Sequence, residues 1–332
     1  MHRTSAKRNV ITLAEVEAAR EQVYTQMPPT AQHIWPLLGK ATGATVVVKH
    51  ENHTPVGSFK IRGGITFMNW LRREHPGCRG VITATRGNHG QSQARAAVAA
   101  GMVAKVLVPH GNSMEKNAAM RGFGADLIEF GDDFDEARIE AFRLATQQDL
   151  FPVPPYHRAL TAGVASYALE LFTAVPDLEE VYVPIGGGTG ICGVISVRDA
   201  LGLSTKVVAV VAKAAPCASL SVQAGELVET SSAATIADGM AVRVPVAESF
   251  AIYCDGADRF VTVSDAEIAA AMRLYFHATH NVAEGAGAAA LAALMQEKDR
   301  MRGKKVGVIL TGGNVDTDWF AKVLAGETPK PR

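Results

Sequence analysis

The clearest chemical signal in the chain is a run of glycines. Residues Pro184-Ile-Gly-Gly-Gly-Thr-Gly-Ile-Cys-Gly193 follow an apolar strand and open a helical stretch, Ile191–Ala200. Successive glycines let the backbone close on an anion, and N–H groups at a helix start point toward it. Phosphate is the expected ligand. Gly188-x-Gly190-x-x-Gly193 also satisfies the dinucleotide fingerprint. That reading calls for an acidic residue about 20 positions onward. The next strand closes instead on Lys213, which would suit a 2′-phosphorylated dinucleotide. An NADP-dependent oxidoreductase and a purely structural turn therefore stay open as alternatives.

Three further strings carry reactive groups. Gly57-Ser-Phe-Lys-Ile-Arg-Gly-Gly64 places Lys60 just after a turn, where a helix is expected to start. The helix dipole and neighbouring Arg62 both oppose a positive charge there. An amine so destabilised as the cation can form Schiff bases, whereas a solvated surface lysine is the bland reading. Thr83-Ala-Thr-Arg-Gly-Asn-His-Gly-Gln-Ser92 reads as a strand end, a polar turn and an Ala-rich helix. Its N–H groups from Gly87 to His89 would suit a carboxylate, and a simple helix cap at Asn88 is the competing account. Leu310-Thr-Gly-Gly-Asn314 places the hydroxyl of Thr311 at a strand's carboxyl end, where ligands bind in doubly wound sheets. His50/His53 and His277/His280 are spaced i,i+3 without an HExxH motif, and no GxSxG elbow occurs. Neither a zinc site nor a serine hydrolase is expected.

These segments need a scaffold, and the chain supplies one. Short apolar runs at Thr45–Lys49, Gly80–Ala84, Val103–Val108, Asp126–Phe130, Glu180–Pro184, Lys206–Val211 and Lys305–Leu310 read as strands covered on both faces. Helical patterns such as Asn88–Ala100, Glu115–Phe123 and Phe134–Gln148 alternate with them. This order predicts an α/β protein of doubly wound, mainly parallel sheets. Ser264-x-x-Glu267 is a capping box opening a helix toward His280. The Phe151–Pro155 break is a plausible domain crossing, 225–241 reads as loops, and the tail Thr328–Arg332 reads as disordered.

At 332 residues the length suggests two domains, and 48% hydrophobic content supports a sizeable core. Lys+Arg and Asp+Glu are both 33, which argues against a general nucleic-acid binder. No apolar run approaches the roughly 20 residues of a membrane span. The N-terminus is basic but meets Glu15 and Glu17 before any apolar core, so no secretory signal is expected. Cys78, Cys192, Cys217 and Cys254 form no CxxC pair and read as reduced thiols of a cytoplasmic protein.

Taken together and in this order, GSFKIRGG, TRGNHGQS, GGGTG and LTGGN closely resemble the threonine/serine dehydratases of the pyridoxal-phosphate β-family, fold type II. The likeness runs from about Leu13 to Leu324 and includes the strings at 235–242 and 283–290. It implies two domains, 1–55 with 158–332 and a smaller one at 56–157, with pyridoxal 5′-phosphate in the cleft between them. By the same resemblance Lys60 would hold the cofactor as a Schiff base and act as the catalytic base. Phe59 would pack beside the ring and Asn88 would bond its 3′-oxygen. Gly186, Gly187, Gly188, Thr189 and Gly190 would cradle the phosphate. Thr311 would face the pyridine nitrogen and Glu284 would lie near the ring. Thr85, Arg86, Gly87, Asn88 and His89 would bind the substrate carboxylate. The implied activity is dehydration and deamination of a β-hydroxy-α-amino acid such as threonine or serine to a 2-oxo acid and ammonia. A bulkier or acidic substrate (phenylserine, 3-hydroxyaspartate) is the alternative. The resemblance leaves room for a homodimer.

Three departures stand out. Thr85 and Arg86 replace two serines common in the family, so racemisation is not expected. Gly163-Val-Ala-Ser166 replaces a GQGT-like segment and is expected to reshape the substrate pocket. The acidic residues that hold a divalent cation in some relatives are missing from 209–221, so no metal is expected. Without a match to a regulatory domain, feedback control by isoleucine is not expected either.

Overall fold

The computed structural model describes residues 10–331; the basic residues 1–9 and Arg332 lie outside them. Ten strands occur among the described residues: β1 (Gln32–Ile34), β2 (Thr45–His50), β3 (Gly80–Ala84), β4 (Val103–Val108), β5 (Asp126–Glu129), β6 (Phe151–Pro152), β7 (Glu180–Pro184), β8 (Lys206–Ala212), β9 (Arg259–Val263) and β10 (Lys305–Leu310). The seven apolar runs of the sequence are all strands, with ends shifted by one residue at most. The other three are edge strands, too short (β1, β6) or too exposed (β9) to leave an apolar run.

Two sheets result. Six strands run in the order β1-β2-β10-β7-β8-β9, and four in the order β5-β4-β3-β6. Every pairing is parallel except β1 on β2. The apolar strands of the large sheet follow from cover on both faces. Val46 and Val48 of β2 enter one core cluster and Val47 the opposite one. Val208 and Val210 of β8 likewise oppose Val207, Ala209 and Val211. Each of these valines is buried, and full burial of one side chain contributes about 2 kcal/mol. Helices Asp265–Thr279 and Gly285–Gln296 cover one face, and Arg158–Ala174 and Thr189–Ala200 the other. The capping box holds as read: Ser264 Oγ accepts from Glu267 N and Glu267 Oε2 accepts from Ser264 N.

Two readings need correction. Phe151–Pro152 of the Pro-rich break is not only a connection, because it adds edge strand β6 to the small sheet before the chain crosses over. Residues 328–331 of the tail form no helix or strand, yet Pro329 is buried between exposed Thr328 and Lys330, so the tail is held at that residue. Among the described residues no helix is long and apolar enough to cross a membrane, and no three His, Cys, Asp or Glu side chains cluster as metal ligands.

Candidate active site

The four motif strings meet because each follows the carboxyl end of a strand or packs on one that does. Lys60 is the first residue of helix Lys60–Glu74. Its approach is stapled to the segment after β10: Phe59 N donates to Thr311 O at 3.0 Å, and Ser58 bridges Gly312. Asn314 Nδ2 donates to Val56 O and to Asn88 Oδ1, each at 2.8 Å. The lysine, Thr311 and Asn88 are thereby fixed relative to one another.

Burial pulls the Lys60 amine down to about 8, while the nearby carboxyl of Glu284 works against that fall. The expected contribution of Arg62 is not found. Arg62 points away into a buried ionic network, donating to Glu51 Oε2 at 2.8 Å and to Glu170 Oε1 at 2.6 Å. Lys49 completes the network through Glu170. Desolvation, not a neighbouring charge, tunes Lys60. Removing one member of such a buried network costs about 3–5 kcal/mol, because its partners stay buried and unpaired.

The segment at 163–166 also lies elsewhere than expected. Gly163 and Ser166 belong to helix Arg158–Ala174, which packs behind the Lys60 helix, and Ser166 Oγ accepts from Arg62 at 2.9 Å. It supports the lysine helix through Arg62.

The glycine loop is shaped as an anion cradle. Gly188 caps helix Thr189–Ala200 with φ +95°, a conformation that favours glycine. A Cβ on Gly186 would stand 2.0 Å from Gly239 O. Cys192 N donates to Gly188 O, which leaves the N–H groups of Thr189, Gly190 and Ile191 without partners in their own helix. A Cβ on Gly193 would stand 3.0 Å from Ala165 Cα of helix Arg158–Ala174, so the third glycine of the apparent dinucleotide fingerprint sits at a close helix–helix contact. Lys213 is exposed.

The turn at Thr85–His89 differs in detail from its reading. Thr85 Oγ1 accepts from Gly87 N at 3.1 Å and from Gly90 N at 3.3 Å, so the N–H of Gly87 is occupied. Asn88 and His89 N–H remain at the start of helix Asn88–Ala99. Asn88 makes no cap. Its side chain donates to Glu284 Oε1 at 2.6 Å and accepts from Asn314. Glu284 is driven up to about 7, chiefly by burial, with Lys116 opposing the rise. His89 falls to about 3 through burial and the Lys60 charge, and its Nε2 finds no partner among the described residues.

Sequence reading missed Lys116, Asp238 and Asn314 as site residues. Asp238 and Asn314 sat inside quoted strings, but nothing local singled out Lys116. Its stem runs beside Gly87 and its ammonium pairs with Asp238, joining the small sheet's side of the cleft to the large sheet's side. A cavity of about 80 Å³ beside this pair is lined by Arg86, His110, Ser113, Lys116 and Glu284, among others.

A family profile described as pyridoxal-phosphate dependent enzyme matches residues 26–312. An L-threonine ammonia-lyase of Thermotoga maritima is 33% identical over 316 residues, 95% of this chain and 78% of the relative. An L-threo-3-hydroxyaspartate ammonia-lyase of Saccharomyces cerevisiae is 31% identical, covering 89% of this chain and 90% of the relative. The solved processed form of threonine deaminase isoform 2 from Solanum lycopersicum superposes with a TM-score of 0.87 at 29% identity, covering 96% of this chain and 95% of that one. Nothing in these likenesses supports the NADP-dependent oxidoreductase. The chain belongs to the pyridoxal-phosphate dependent enzyme family, and its cofactor is pyridoxal 5′-phosphate.

Proposed function

We propose that the protein is a lyase that dehydrates and deaminates a β-hydroxy-α-amino acid to a 2-oxo acid and ammonia. One observation carries the reading: a desolvated lysine amine at a helix start is fixed against Thr311, Asn88 and Glu284. The names of the relatives, threonine and 3-hydroxyaspartate ammonia-lyases, support the same class.

The residues present fit the cofactor. Lys60 would hold its aldehyde carbon, and Gly186–Gly190 with Thr189 would hold its phosphate on three unpaired N–H groups. Phe59 stands beside the lysine, with Lys60 Nζ 5.0 Å from its ring centre. Asn88 keeps a second amide hydrogen for the 3′-oxygen after serving Glu284. Thr311 would meet the pyridine nitrogen with a hydroxyl, which cannot hold that nitrogen protonated as a carboxylate would. When bound, the cofactor supplies an electron sink for the charge left at the substrate's Cα.

The protein's own groups do the rest. The N–H groups of Asn88 and His89 would bind the substrate carboxylate, with Thr85 shaping the turn through its bond to Gly87. Lys60, whose amine titrates near 8 and is neutral above it, takes the Cα proton. The β-hydroxyl departs as water with the proton that Lys60 took from Cα, and the resulting enamine tautomerises to an imine whose hydrolysis releases ammonia and the 2-oxo acid. The 3-hydroxyaspartate ammonia-lyase among the relatives favours a second reading, in which the substrate side chain carries a carboxylate.

A panel of threonine, serine, 3-hydroxyaspartate and phenylserine, read by 2-oxo-acid release, tests both. Release from none of them by cofactor-loaded enzyme overturns the proposal; release from 3-hydroxyaspartate above the others establishes the second reading.

The proposal extends to the domains, with 1–55 and 158–332 as the larger and 56–157 as the smaller. The six-stranded sheet takes no strand from 56–157 and the four-stranded sheet takes all of its strands there, which supports that division. It extends to a homodimer, supported by exposed Ile34 and Leu37 at the β1 edge and tested by light scattering. A cytoplasmic location is supported by four cysteines, none of them in a disulfide.

A further inference from the structure

The segment 163–166, which departs from the family pattern, is followed by a tyrosine. Tyr167 is fully buried on helix Arg158–Ala174. Its Oη donates to Gly190 O at 3.2 Å. Its ring meets Phe59 edge-on, centroids 6.1 Å apart and planes at 84°. The same helical turn holds Arg62 through Ser166. One turn of helix therefore touches the Lys60 helix, the aromatic ring beside Lys60 and the glycine loop.

The carbonyl of Gly190 belongs to the same rigid peptide unit as the N–H of Ile191. That N–H is one of the three donors left free at the start of helix Thr189–Ala200. A hydroxyl donated to the carbonyl fixes the plane of this peptide and polarises it, which strengthens its N–H as a donor. A leucine or isoleucine would fill the space without either effect.

We propose that Tyr167 is a positioning residue for the phosphate cradle, aiming the Gly190–Ile191 peptide at the cofactor phosphate while bracing Phe59. This rests on the reading of Gly186–Gly190 as a phosphate site. Tyr167→Phe keeps the ring packing and removes only the hydroxyl.

The experiment measures binding of pyridoxal 5′-phosphate and of unphosphorylated pyridoxal to the cofactor-free wild type and variant. Melting temperature and the 31P resonance of bound cofactor are recorded alongside. Loss of one such bond to a charged-ligand cradle predicts about tenfold weaker binding of the phosphorylated form. Pyridoxal affinity and melting temperature stay at wild-type values, and the 31P resonance moves. Tyr167→Met, similar in length and without a hydroxyl, repeats the test should the phenylalanine variant fold poorly. Unchanged binding and 31P resonance in the variant, with the wild type still preferring the phosphorylated form, overturn the role of Tyr167 alone. Equal wild-type affinity for both forms overturns the cradle itself, and Tyr167's role with it.

Discussion

Asn88 donates its side-chain amide to Glu284 across 2.6 Å, although 196 residues separate them in the chain. The bond joins the turn after β3, in the small sheet, to the start of helix Gly285–Gln296, which packs on the large one. It holds a buried carboxyl near Lys60, the lysine proposed to carry the chemistry.

That burial sets a pH dependence. Glu284 titrates near 7 in the fold against 4.5 for an ordinary glutamate. The fold therefore binds a proton that the unfolded chain releases, and stability falls as pH rises through this window. Glu284→Gln keeps an acceptor for Asn88 and carries no charge. In urea unfolding of cofactor-free protein, the variant should gain on the wild type from about pH 4.5 to pH 7, by on the order of 3 kcal/mol. A difference that does not change with pH would show that Glu284 is not raised in the fold.

Lys60 gives a second pH signature. Only its neutral amine attacks an aldehyde, and burial lowers its titration to about 8 from 10.5. Reconstitution of cofactor-free protein, followed by visible absorbance, should accelerate with pH and level off above about 8. Lys60→Ala should lose both the absorbance and the elimination. A reconstitution midpoint near 10.5, or turnover in the alanine variant, would move the reactive amine elsewhere.

Gly186→Ala tests the cradle. Its Cβ would fall 2.0 Å from Gly239 O, a backbone atom that cannot swing aside. Overpacking of this kind costs about 1–3 kcal/mol. The variant should melt lower without cofactor and bind pyridoxal 5′-phosphate far more weakly. Retention of wild-type affinity would show that the loop tolerates displacement from Gly239.

Arg86 tests the substrate side. If its guanidinium engages a carboxylate, Arg86→Ser should raise the Michaelis constant, with a loss on the order of 2 kcal/mol in kcat/KM. The loss should be largest on 3-hydroxyaspartate if the cavity holds a second carboxylate. Loss of optical activity, followed on the same panel, reports any racemisation that the serine introduces. Unchanged kinetics on every substrate would place Arg86 outside substrate recognition.

Much of this protein could be read from the sequence, because its signals are local. Apolar runs marked seven strands, although β5 proved to be a half-exposed sheet edge rather than covered on both faces, and glycines before a helix start marked the candidate anion site. Their joint order identified the family and the cofactor. Local reading also had limits of kind. It took Arg62 as a charge pressing on Lys60, whereas the guanidinium turns into a network with Glu51 and Glu170. It took the N–H of Gly87 as free, whereas Thr85 holds it. Lys116 left no trace, since a lysine early in an amphipathic helix looks solvated until Asp238 arrives from the other side of the cleft. Adjacent residues in a helix point about 100° apart, so neighbours in sequence need not share an environment. Which backbone segments form follows from short-range pattern. Which charges are buried, paired or left to shift is decided only when distant segments exclude water from the same space.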